Sequence, residues 1–193
     1  MPLYNNPIAA SQLPALTGDV TSSAGSAATT AAATQANIAT LSKAAGCAVH
    51  GTNTNDAAAA GYVGEYIEGL VSTPTNFGTS GQYSDPTSIS LTAGDWDVSA
   101  LVGATSKAAV GLSATYMGIS TTSGNSTTGL VAGSNWLLTD YAAPLANTAQ
   151  AGHDVPCYRM SLSGTTTVYL KLRMDWATTA PQYTCRLSAR RVR

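Results

Sequence analysis

The run TTVYLKLRMDW, residues 166 to 176, limits more than any other segment what this chain can fold into. Thr166, Val168, Leu170, Leu172, Met174 and Trp176 share one parity, and Thr167, Tyr169, Lys171, Arg173 and Asp175 the other. Successive side chains of an extended strand point to opposite faces, so this is a half-buried strand whose apolar side needs a second layer to cover it. The closing segment YTCRLSARRVR repeats the design, with Tyr183, Cys185, Leu187 and Ala189 set against Thr184, Arg186, Ser188 and Arg190. TSISLTAGDWDVSALV reads as two strands around a turn at Ala93 and Gly94. Ile89 and Leu91 face inward on the first and Trp96, Val98 and Ala100 on the second, with Asp95 and Asp97 outward. Weaker period-two signals cover 62 to 72, 108 to 120, 134 to 141 and 156 to 163. About eight short strands divided by Gly, Ser, Asn and Pro turns predict a mainly β fold for residues 60 to 193, an antiparallel jelly-roll-like β-sandwich head.

The N-terminal third follows other rules. LPALTGDVTSSAGSAATTAAAT, residues 13 to 34, is built of small, mostly uncharged side chains. Its burial could not offset the roughly 1–2 kcal/mol per residue that ordering a backbone costs, so it is either disordered or ordered by something outside its own chain, and the second reading is the one that points to function. Residues 1 to 25, with Pro2, Pro7 and Pro14, are expected to form an extended arm. Residues 26 to 45 are Ala-rich and free of Pro and Gly, with Ser26 as N-cap and Gly46 as the stop, which predicts a helix. Ala27, Ala31, Thr34, Ile38, Leu41 and Ala45 recur at a 4-3-4-3-4 spacing, an a/d seam of under three heptads. A helix of 20 residues with so thin a stripe is marginal alone. The plain reading packs it on its own domain; the reading taken here is a short parallel homotrimeric coiled coil, with Ala31, Thr34, Ile38 and Leu41 at its core and residues 26 to 59 as stalk and linker.

Charge narrows the function. Charged residues are 10% of the 193 residues, against about 25% in typical soluble domains, so Ser, Thr, Asn and Gly carry the surface. That suits a chain in a large assembly or outside a cell. The net charge of −1 is unevenly spread: residues 1 to 158 hold Lys43 and Lys107 against nine acidic residues, and residues 159 to 193 hold seven basic residues against Asp175. Without a stacking motif or a basic helix, this asymmetry reads as strand faces of opposite charge rather than a nucleic-acid site, and no nucleic-acid partner is expected. The expectation is instead that, in a trimer, the basic face of one subunit's last strands meets an acidic face, with Asp95, Asp97, Glu65 and Glu68, on its neighbour. No run approaches the roughly 20 apolar residues of a membrane helix, so no membrane insertion is expected. The opening residues lack the pattern of a secretory signal, and three cysteines make no even framework; both predict folding in a reducing cytoplasm, with release by a route such as lysis.

LTGDVTSSAGSAATT resembles a segment of tail-fibre and other virion fibre proteins of tailed bacteriophages and their prophages. VGEYIEGLV, TSISLTAGDWDVSA, TTTVYLKL and the terminal LSARRVR resemble the head domain that often follows it. The likeness runs in order over most of residues 13 to 193 and departs between 104 and 155, where the loops are the chain's own. The resemblance implies a homotrimeric fibre in the virion, attached by its N-terminus to tail, neck or capsid proteins, with a β head that adsorbs to a host-surface glycan or protein. The alternative within that class is a capsid or neck decoration, or head fibre, with no receptor-binding role.

Chemistry-bearing patterns are few. CAVH places Cys47 three residues before His50, and HDVPC places His153 four before Cys157, but the pairs lie far apart and Cys185 has an inward position; neither metal nor cofactor is expected. Asp95 and Asp97 stand roughly 7 Å apart by strand rise, within the separation glycosidases use, yet such pairs are common on exposed strands. No G-x-S-x-G or Walker-type loop is present, and the chain reads as no enzyme. For ligand binding, Asn125, Asn135, Trp136 and Tyr141, in or beside GNSTTGLVAGSNWLLTDY, are the candidates, because aromatic faces with neighbouring polar groups suit sugar or protein contacts. Trp136 and Tyr141 are equally at home as core packing.

Overall fold

The computed structural model describes residues 58–108 and 111–193, together with two short strands further upstream, β1 (Val20–Thr21) and β2 (Thr30–Ala31). The chain divides into two compact units, Met1–Asn55 and Asp56–Arg193. In the first unit, β1 and β2 pair antiparallel, Val20 opposite Ala31 and Thr21 opposite Thr30. Ala31 therefore lies in a strand pair at the place where a helical seam is expected. The β-branched Thr30 is stiff at χ1 and suits a pleated backbone better than a helix. The other stalk positions, Thr34, Ile38 and Leu41, lie outside the described residues.

The second unit holds eight strands: β3 (Tyr66–Asn76), β4 (Ser84–Leu91), β5 (Gly94–Thr105), β6 (Leu112–Ser120), β7 (Trp136–Asp140), β8 (Gln150–Leu162), β9 (Thr166–Trp176) and β10 (Gln182–Arg191). They form two antiparallel sheets of four, ordered β3-β10-β5-β8 and β4-β9-β6-β7. Proline maps the edges. Pro74, Pro86 and Pro156 fall in β3, β4 and β8, all edge strands, and all three sit where the register shifts. A residue with no N–H to give a ladder is tolerated only there. The four central strands contain none.

The inward parity of each strand supplies the core between the sheets. Trp96, Val98, Ala100 and Val102 from β5 and Cys185, Leu187 and Ala189 from β10 meet Leu112, Met117 and Ile119 from β6 and Val168, Leu170, Leu172 and Met174 from β9. Burying a side chain of this size is worth about 1.5–3 kcal/mol, so the alternating pattern itself selects the register. At the turn between β4 and β5, Gly94 has φ +138°, and a Cβ there would lie 2.1 Å from Arg191 Nη1. Only glycine serves both the backbone and the close approach.

The charges find partners within the chain. Arg191 Nε donates to Glu65 Oε2 at 2.9 Å and its guanidinium lies 4.3 Å over the Trp96 ring. Arg159 Nη2 donates to Asp95 Oδ2 at 2.9 Å, and Arg193 bonds the same oxygen. Arg173 pairs with Asp175, and Lys171 with Asp85. Glu65 and Asp95, two of the acidic residues expected to face a neighbouring subunit, are thus paired within their own chain. Strand register sets opposite charges side by side, Asp97 against both Arg190 and Arg159 across the ladders, so most of the charge asymmetry along the sequence closes on itself. Asp95, expected outward, is 5% exposed beneath its two arginines.

Candidate functional site

The outer face of the β4-β9-β6-β7 sheet is roofed by residues 121–135, the connection from β6 to β7. Lys171, outward by its parity on β9, is fully buried because that connection lies over it. Its ammonium donates to Asp85 and to the Gly124 carbonyl, and the Gly124 N–H donates to the second Asp85 oxygen at 2.6 Å. Gly118 stands between Lys171 and Trp136 in the ladders. A Cβ on it would lie 2.6 Å from Leu130 Cδ2 and 2.9 Å from the Asn135 carbonyl, so the loop rests directly on bare backbone. Ser120 Oγ donates to the Thr128 carbonyl at 2.7 Å, which fixes the middle of the loop.

Asn135 closes the far end. It is buried; its Nδ2 donates to the carbonyls of Ile119 and Gly129, each at 2.8 Å, and its Oδ1 accepts from the Val131 N–H at 2.7 Å. Asn125 Oδ1 accepts from the Tyr83 N–H at 2.9 Å. Both amides, candidates for ligand contact by sequence, thus hold the loop in place. Their carbonyl oxygens serve backbone N–H groups outside any strand, Val131 within the loop and Tyr83 just before β4, that would otherwise lack a partner.

Beside the roof lies an open cleft of about 250 Å³. Trp136 and Tyr83 form one wall, Trp136 Nε1 donating to the Tyr83 hydroxyl at 3.0 Å with the ring centroids 6.4 Å apart. Tyr116 and Leu138 form the floor, adjacent because β6 and β7 pair them, and Thr127 is on the rim. Arg173 faces Tyr116 across the β6–β9 ladder, its guanidinium 5.0 Å from the ring centroid, while Nε and Nη2 donate to the two oxygens of Asp175 at 2.9 and 2.8 Å. The Tyr116 hydroxyl donates to Asp140, and that bond, with burial, pushes its pKa up to about 12, so the phenol keeps its proton. Burial raises Tyr83 as well, against the opposing effect of the Trp136 bond.

Tyr141 points elsewhere. Its hydroxyl bonds His153 Nε2 at 2.7 Å and Thr115 Oγ1 at 3.1 Å, and its ring packs against the core. Burial holds His153 below the usual histidine range. Among the described residues no cluster of three His, Cys, Asp or Glu side chains is placed to hold a metal; Cys157 is exposed and Cys185 buried, while Cys47 and His50 lie outside the described residues.

Of the four residues singled out by sequence, then, Trp136 lines the cleft, Asn125 and Asn135 support it, and Tyr141 is not part of it. Sequence reasoning missed Tyr83, Tyr116, Asp140 and Arg173. The outward parity of Arg173 was visible, but its meeting with Tyr116 depends on ladder register. On the opposite sheet a groove of about 270 Å³ runs past Leu70, Leu101 and Arg186, with no aromatic ring in its lining.

No protein-family model and no curated protein matches this sequence. Among solved structures, one titled "Structure of infectious bursal disease virus Gx strain" aligns with a TM-score of 0.41 at 9% identity, over 66% of this chain. The chain spans about a third (32%) of the length of that structure's chain. Likeness at that level defines neither fold nor function.

Proposed function

We propose that this chain is a non-enzymatic virion structural protein of a tailed bacteriophage, a homotrimeric short fibre held to the particle through residues 1–25, whose jelly-roll head adsorbs to the host surface. The arm and LTGDVTSSAGSAATT, which resemble virion fibre proteins, would be ordered by the particle and by sister chains. The jelly-roll reading draws on strand order, since β3-β10-β5-β8 over β4-β9-β6-β7 nests two Greek keys in one sandwich. A non-enzymatic role agrees with the state of Asp95. The neighbouring Ser161 hydroxyl and the Arg193 and Arg159 guanidiniums hold its carboxyl far below the usual range, which makes it a poor general acid.

The observation that carries adsorption is the cleft of Tyr83, Tyr116 and Trp136 on an outer sheet face, shaped by a loop that the chain fastens with a buried lysine and a buried asparagine. Binding residues characteristically sit on such loops over a rigid scaffold. Two measurements test the reading. Gold-labelled antibody to the head should mark the tail or neck of intact particles, and purified full-length chain should slow particle adsorption to host cells. Label spread over the capsid without competition would instead assign the chain to decoration.

A further inference from the structure

The cleft's own chemistry narrows what it takes, on the reading above that it is the adsorbing surface. Its volume, about 250 Å³, falls just under the roughly 300 Å³ at which sites for drug-sized molecules begin, which suits one sugar ring rather than a chain of them. The floor is apolar: Leu138 is 45% exposed beside the Tyr116 ring, a platform for the C–H face of a pyranose.

The polar groups left over are of both kinds. Tyr83 accepts from Trp136 and keeps its own proton to donate. Asp140 accepts one bond, from Tyr116 to Oδ1, and Oδ2 has no donor among the described residues. Arg173 commits Nε and Nη2 to Asp175, and Nη1 bonds nothing among the described residues. A ring carrying adjacent hydroxyls matches this set of donors and acceptors.

The electrostatics select among sugars. Arg173 and Asp175 cancel as a bidentate pair, and the neighbouring Lys171 is cancelled by Asp85, so Asp140 leaves the cleft with one net negative charge. A carboxylate or phosphate brought here meets a like charge, and the one cation among the described residues of the lining, Arg173, is already held by Asp175 through two bonds. We propose that the cleft binds a single neutral pyranose unit of a surface glycan and discriminates against anionic sugars.

The test uses the full chain and the Trp136 indole N–H resonance, assigned with Trp136→Phe. The methyl glycosides of glucose, galactose and mannose, then glucuronate and N-acetylneuraminate, are titrated at millimolar concentrations. At least one neutral glycoside should shift the resonance, and the acids should leave it in place. Asp140→Asn should weaken neutral-sugar binding by about tenfold, because it removes a charge-assisted acceptor. Leu138→Ala, at an exposed position that does not threaten folding, should weaken it severalfold through the lost floor. Acids binding as well as the neutral sugars, or no sugar moving the resonance, would overturn the proposal. If no sugar binds yet the chain still competes with particle adsorption, the ligand assignment fails and the adsorption role stands. Sugar binding without competition supports the assignment and removes the adsorption role.

Discussion

Replacing Lys171 by methionine is the most direct trial of how the cleft is built. The change keeps the length of the side chain and removes its charge, leaving Asp85, whose side chain is 18% exposed, facing a loop with one bond from the Gly124 N–H. Breaking a buried ion pair from one side costs about 3–5 kcal/mol, because the remaining charge stays desolvated. Partial exposure of Asp85 and its surviving N–H bond place this case near the lower end, about 3 kcal/mol. For a unit the size of Asp56–Arg193, that lowers Tm by on the order of 10 °C. The loss should be mostly repaired by removing the other charge as well. Lys171→Met with Asp85→Asn is expected to cost about 1–2 kcal/mol, so the double-mutant cycle gives a large coupling. Urea unfolding of the four proteins supplies the cycle, and hydrogen exchange should show faster exchange across residues 121–135 in the single variant. Additive effects, or a Lys171→Met cost below about 0.5 kcal/mol, would mean that the pair does not fasten the loop.

Gly118→Ala should displace Leu130 and the Asn135 carbonyl and cost about 1–3 kcal/mol by overpacking, read as a lower urea midpoint with an unchanged slope. Asn135→Ala strands the Ile119 and Gly129 carbonyls and the Val131 N–H, and should cost about 2 kcal/mol and broaden the Trp136 indole signal. The acid limb of stability should trace to Asp95 and Glu65. Both have folded-state pKa values shifted down, the first by the neighbouring Ser161 hydroxyl and the Arg193 and Arg159 guanidiniums, the second by hydrogen bonds from the Gly61 N–H and Arg191. Their contribution is therefore complete above the unfolded carboxylate range of about 4 and is lost as pH falls through the lower folded values; Asp95→Asn should flatten unfolding free energy against pH below about pH 4. His153 acts in the same direction at higher pH. Burial lowers its folded pKa, so from about pH 6.5 downward the unfolded chain takes up a proton that the folded one refuses, and stability falls until the folded site also titrates; Tyr141→Phe, which removes the Nε2 partner, tests this by changing that slope in thermal melts at graded pH.

Parity was the most legible property of the sequence. Val168, Leu170, Leu172 and Met174 are inward as their alternation requires, as are Trp96, Val98 and Ala100, and each of the eight expected strands overlaps an observed one. Parity is local, set by backbone geometry alone. What was not legible depends on segments distant in sequence. Lys171 reads as a solvated outer residue and is fully buried, because residues 121–135 cross over it. Asp95 reads as surface charge and is sealed under Arg159 and the terminal Arg193, one brought by the β5–β8 ladder and the other by the chain's last residue. Asn135 looks free to touch a ligand, and the loop turns it inward. Thr30 and Ala31 sit in an Ala-rich run whose composition favours helix, and they pair as strand.

These departures are not scattered at random. Along the central strands β5, β9 and β10 the alternation predicts burial well, and the outer parity leaves a face free to change without touching the core. On the β3-β10-β5-β8 sheet no loop among the described residues is fastened across that face in this way, and Leu70 and Leu101 are exposed there. On the other sheet one loop has been laid across it, and three features that break the simple pattern serve that covering: the sunk Lys171, the side chain missing at Gly118, and the buried amide of Asn135. A loop of Gly, Ser and Thr has little apolar surface with which to hold itself down, so it must be fastened by ion pair, hydrogen bond and backbone contact. A covering that served stability alone would more simply be a flat polar strand face. What the fastening yields is a fixed wall for the Trp136–Tyr83 cleft, and that is the reason to look for its ligand there.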